Sequence, residues 1–95
     1  MELYQLKTFI TVLEEGSISR AARRLSTTPS SVSMHIKALE TEFDVQLFVR
    51  TNQGVDVTDK GRILALQARQ TLQSATVFAQ QAQELRQQHV GTIRL

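Results

Sequence analysis

The sequence predicts a mainly α-helical fold: three helices, a two-stranded β-hairpin and a long fourth helix. Apolar residues recur at helical spacing through the first 43 positions, and a short alternating segment with turn residues follows. From Thr58 to Val90 the chain then contains no proline and one glycine, Gly61.

Leu3, Leu6, Ile10 and Leu13, with Phe9 beside them, define the apolar face of a first helix over residues 3–15, and Gly16 is suited to end it. Ser17 is a good N-cap for a second helix through Leu25, about two turns long, whose inward face is Ile18, Ala21, Ala22 and Leu25. Ser26-Thr27-Thr28 has the composition of a tight connection. Thr28 then puts a capping hydroxyl directly before Pro29, which sits at the first helical position, where a missing N–H costs nothing. In the third helix Val32, Ile36, Leu39 and Phe43 form the apolar stripe, and Asp44 follows where a left-handed residue is needed.

Val45–Arg50 reads as a strand, Thr51-Asn52-Gln53-Gly54 as a turn and Val55-Asp56-Val57 as the returning strand, together a small β wing. Thr58 can cap a fourth helix of about 30 residues, roughly 45 Å long. Within it Leu64, Ala68, Thr71, Ala75, Phe78, Ala82, Leu85 and His89 are spaced alternately four and three apart, a heptad stripe rich in alanine. A lone helix cannot bury such a stripe, so Leu64 to Leu85 are expected to form a dimerisation seam with a second copy. Folding back onto its own domain is the competing reading, for the first turns only.

With 95 residues, 41% of them hydrophobic, the chain supports one small core, hence one domain plus an appendage. No apolar run approaches the roughly 20 residues that cross a bilayer, and the N-terminus lacks a secretory layout, so a cytoplasmic protein without a membrane partner is expected. Absence of cysteine excludes disulfides, thiolate metal sites and thiol nucleophiles. His35 and His89 have no second ligand at metal spacing, and Glu40 and Glu42 point in different directions on one helix. Neither a metal, a cofactor nor an enzymatic constellation is expected.

The formal net charge of +2 says less than its distribution. From Gly16 to Leu39 the chain carries Arg20, Arg23, Arg24 and Lys37 and no acidic residue, whereas Glu14 and Glu15 precede that segment and Glu40, Glu42 and Asp44 follow it. Ala22, Leu25 and Val32 fit the steep crossing of a helix-turn-helix, which leaves its second helix prominent enough to enter a major groove. The fold class is therefore a winged helix-turn-helix followed by a long dimerisation helix.

Gly16-Ser17, Ala21-Ala22, Leu25, Ser30, Val32-Ser33, Ile36, Leu39-Glu40, Leu47-Phe48, Arg50, Thr58 and Gly61 together resemble the N-terminal domain of the LysR-type transcriptional regulators. The resemblance covers nearly the whole chain. It implies a DNA-binding domain over residues 1–58, a linker and dimerisation helix over 59–90, and the start of an effector-binding domain over 91–95, read as a first strand. It further implies double-stranded promoter or operator DNA as partner, a homodimer or, in the intact protein, a tetramer, and a small-molecule effector bound only by the effector domain.

On that motif Ser30, Ser31, Ser33, Met34 and Lys37 are candidates to face the major groove, while Thr28, Pro29 and the free amides of the helix N-terminus suit a phosphate. Arg20, Arg23 and Arg24 lie on the helix that crosses the backbone, with salt bridges to Glu14 or Glu15 as the competing use. In the wing, Arg50, Thr51 and Gln53 are placed to reach the neighbouring minor groove. Pro29 stands where the family often has glutamine, and Phe43 and Asp44 where leucine and glycine are usual. Met34 stands at a position frequently arginine, exchanging a guanine-reading fork for an apolar group suited to a thymine methyl. A purely oligomerising module is the alternative class; it leaves the acid-free basic segment unexplained.

Overall fold

The computed structural model describes the backbone of residues 1–94 and the side-chain surroundings of residues 1–88. Its elements run α1 (Leu3–Glu15), α2 (Ile18–Arg24), α3 (Pro29–Phe43), β1 (Phe48–Thr51), β2 (Gly54–Val57) and α4 (Asp59–Arg94). The boundaries follow from local chemistry. Gly16 closes α1 with φ 66° and ψ 17°, its N–H donating to Val12 O. The Ser17 hydroxyl accepts from Arg20 N–H at 3.2 Å and the Thr28 hydroxyl from Ser31 N–H at 3.1 Å, so α2 and α3 both begin on capping hydroxyls. Asp44 ends α3 at φ 51°, as its position requires.

The core lies where α1, α2, α3, the start of the hairpin and the first turns of α4 meet. Phe9, Val12 and Val32 are its largest fully enclosed side chains, and the ring of Phe48 meets that of Phe9 edge-on with centroids 5.6 Å apart. Ala21 and Ala22, both fully buried, let α2 approach α1 and α3 closely. β1 and β2 pair antiparallel with Phe48 opposite Val57 and Arg50 opposite Val55. Gly61, in the first turn of α4, sits so tightly against the chain before β1 that a Cβ there would collide with the Leu47 carbonyl oxygen.

Four expectations need correction. Phe43 is half-exposed and leaves the stripe of α3, which buries only Val32, Ile36 and Leu39. The first wing strand starts at Phe48 rather than Val45, because the Glu40 carboxylate takes the Leu47 N–H at 2.7 Å and the Phe48 N–H at 3.4 Å, supplying the partner a ladder would have given. Ala65 and Ala68 are each 4% exposed, so the winged domain's core extends past residue 58 into α4 and Ala68 is not a free seam position. Finally, the helix runs through Arg94 where residues 91–95 were expected to form a strand. The sheet consists of β1 and β2 alone, and an isolated strand leaves its backbone groups unpaired while a helix pairs them locally. Leu95 and the side chain of His89 lie outside the described residues.

Candidate nucleic-acid interface

The connection between α2 and α3 is a tight corner. Ser26 adopts φ 55°, and Thr27 N–H donates to Ala22 O at 2.9 Å, which turns the chain sharply enough to set α3 across α2. With Val32, Ile36 and Leu39 committed to the core, the opposite face of α3 is left outward. There Ser30, Ser33, Met34 and Lys37 line a shallow concavity closed by Pro29, by Ile18 and Ser19 of α2 and by Arg50 of the wing. No carboxylate lines it. Met34, 64% exposed, is the one large apolar side chain of α3 on this face.

The wing is held to this surface by backbone. Val55 N–H donates to Gly16 O at 3.2 Å, and Gly54, at φ 139°, passes so near that a Cβ would strike the same carbonyl. Thr58 anchors the other end: its hydroxyl donates to Gln46 O at 2.6 Å and accepts from Gly61 N–H at 2.9 Å, capping α4 while fixing the loop before β1.

The remaining sequence-derived candidates divide. Arg24 binds Glu14 at 2.7 Å and Glu15 at 3.3 Å, and Arg20 donates to the Glu15 carbonyl at 2.7 Å, so these two arginines take the competing use. Arg23 is exposed and forms no ion pair among the described residues. Glu14 also binds Arg69 of α4 at 2.9 Å; hydrogen bonds from Arg24 and then Arg69 hold its carboxyl below the ordinary range. Ser31 lies off the concavity, half-buried, its hydroxyl accepting from Thr28. Thr28 itself is exposed but committed to the cap. Thr51 and Gln53 stand exposed at the hairpin tip, where Gln53 N–H donates to the Thr51 hydroxyl at 3.2 Å. His35 sits against α1, Nδ1 2.9 Å from the buried Thr8 hydroxyl and its ring edge-on to Tyr4, the place of a structural histidine. Sequence reasoning missed Ser19, whose exposure at the start of α2 was readable but whose approach to α3 and Arg50 was not.

A small, basic, acid-free surface on an outward helix flanked by a hairpin is the layout of a regulatory helix-turn-helix. Residues 3–62 match the model of the bacterial regulatory helix-turn-helix proteins of the LysR family, and the chain belongs to that family. It is 36% identical to the HTH-type transcriptional regulator ClcR of Pseudomonas putida over 95 residues, which is 100% of this chain and 32% of that protein. An uncharacterised HTH-type transcriptional regulator of Methanocaldococcus jannaschii is 48% identical over 66 residues, 70% of this chain and 22% of that one. Among solved structures, the DNA-binding domain of CbnR in complex with DNA superposes with a TM-score of 0.85 at 32% identity, covering 90% of this chain and 98% of that one. The BenM DNA-binding domain on catB site 1 DNA gives 0.88 at 29% identity, covering 94% and 96%. The chain spans less than half the length of the curated relatives it matches, 22% and 32% of these two.

Proposed function

We propose that this chain binds duplex DNA sequence-specifically as the DNA-reading part of a transcription regulator, without enzymatic activity and in the cytoplasm. The face of α3 bearing Ser30, Ser33, Met34 and Lys37 enters a major groove, and Arg50 with the hairpin tip reaches the adjacent minor groove or its phosphates. The carrying observation is that these residues, from two separate elements, share one carboxylate-free concavity. Arg23 is the arginine of α2 left for phosphate contact. Two copies pair through α4 with their helices antiparallel, which sets half-sites on one face of the DNA. Among the described residues no helix is long and apolar enough to cross a membrane. Effector sensing and tetramer formation, which the family resemblance implies for intact regulators, would belong to sequence outside these 95 residues.

The test is a duplex titration at several salt concentrations. Affinity is expected to fall steeply with salt as phosphates are neutralised, and Arg50→Ala to weaken binding to all sequences while reducing the salt slope by about one. Met34→Ala should instead change the preference among sites selected from a random library. Salt-insensitive or absent binding would favour a pure assembly module.

A further inference from the structure

The bond that anchors His35 on α1 also decides what its other nitrogen can do. Nδ1 lies 2.9 Å from the hydroxyl of the buried Thr8, and the ring is edge-on to Tyr4 with centroids 4.9 Å apart. The Thr8 hydroxyl donates its one proton to the Tyr4 carbonyl oxygen at 2.9 Å. Its oxygen is left to accept, so Nδ1–H of His35 donates to it, and in that tautomer the neutral ring has a bare Nε2. Among the described residues no buried side-chain nitrogen lacks a partner, and Nε2 makes no hydrogen bond, so this atom opens to solvent. Val32, Ile36 and Leu39 of α3 face the core, and Ser30, Ser33, Met34 and Lys37 face outward. At about 100° per residue, Ser31, His35 and Ala38 fall between these faces on the side of α1, opposite the flank where Ser33 and Glu40 meet Arg50.

A helix with its side chains is about 10–12 Å across and the major groove about 12 Å wide, so a helix that enters it meets a phosphate wall along each flank. Arg50 serves one wall. On the other flank, His35 alone of the three can carry a positive charge. Around it α1 brings Tyr4 and the exposed Lys7, and α3 brings Glu42, whose carboxylate is engaged by the N-terminal ammonium at 3.1 Å. From α2 come Arg23 and, turned to Glu15 and Glu14, Arg20 and Arg24. No carboxylate pairs with the ring among the described residues. We propose, taking α3 as the helix that enters the groove, that His35 is a phosphate contact of the α1-side flank and takes up one proton when duplex DNA binds. A phosphate oxygen and a bare Nε2 are both acceptors, so they join only when a proton is added between them. The ring then becomes an imidazolium, with Nδ1–H still on Thr8 and Nε2–H on the phosphate. That proton comes from solvent. Binding is therefore tighter in mild acid and weakens as the pH rises through the range in which an imidazole ordinarily titrates.

The experiment titrates a duplex, selected by the chain from a random library, at constant ionic strength from about pH 6 to about pH 8. The dissociation constant of the parent chain is expected to rise about three- to tenfold across this span, the effect of a contact that favours the protonated ring by about half to one pH unit. His35→Asn keeps an amide N–H for Thr8 and deletes the outer nitrogen, so its profile should be flatter by that factor. A purely structural histidine would instead shift affinity equally at every pH. Nitrogen NMR correlations of the parent need no variant: at about pH 7 the complex is expected to show an Nε2–H that the free chain lacks, with Nδ1–H present in both. Parallel profiles for the parent and His35→Asn, or a ring that holds a single proton in the complex, overturn the contact while leaving the DNA-reading face of α3 intact. Absence of binding to any duplex at every pH removes that face, and the role of His35 with it.

Discussion

At the scale of single residues, the site depends on backbone that only glycine allows. Gly54 holds a positive φ that other residues rarely adopt, and its Cα passes the Gly16 carbonyl with no room for a side chain. Gly54→Ala is therefore expected to destabilise the fold by about 2 kcal/mol, from backbone strain and forced displacement of the hairpin. Thermal unfolding reads the loss, and the altered placement of Arg50 should lower affinity for every DNA sequence alike. The turn role of Gly54 was legible in Thr51-Asn52-Gln53-Gly54, a local signal. Its approach to Gly16 was not, because nothing in either segment's composition names the other. The same division separates Thr28, whose cap is written in the adjacent Pro29, from Arg24, whose partner was readable only as one of two uses.

At the scale of elements, helix starts were legible throughout. Ser17, Thr28 and Thr58 each act on amides within three residues of themselves. Where a distant element decides, sequence pattern failed: Phe43 continues the periodicity of α3 but projects past the core into an apolar hollow beside Leu64 and Thr71 of α4, and Val45–Leu47 look like strand but are held by Glu40. Ala68 has seam spacing and core burial at once, and periodicity cannot distinguish the two. Electrostatics joins α1, α2 and α4 through Glu14, bound by Arg24 and Arg69. Because these arginines depress its pKa, the stabilisation is fully present above the unfolded carboxylate value and is lost as pH falls through the lower folded one. The difference in melting temperature between the parent chain and Glu14→Gln is thus expected to be constant from about pH 6 to 8 and to shrink only as the pH falls below the ordinary carboxylate range and through the lower folded value. The effect will be small, since Arg24 and Arg69 are about half-exposed and such pairs are screened by solvent.

At the scale of the molecule, dimensions of 63 × 25 × 19 Å follow from one helix outrunning the body it is attached to. The 36 residues of α4 extend about 54 Å, far beyond the winged core. Leu85→Asp, which charges the projecting half, is expected to abolish dimerisation while the winged part keeps its melting transition, as sedimentation and circular dichroism on one sample will show. Such a rod also carries rotational phase. Since α4 is unbroken from the wing outward, one alanine inserted after Leu72 would swing everything beyond it by about 100° about the axis, carrying Phe78 off the stripe it shares with Leu64 and Thr71. Seven inserted residues would return it close to its original bearing two turns farther out. The DNA-reading body would be untouched in either case, so the distance and the twist between two such bodies are adjustable separately from what each one reads.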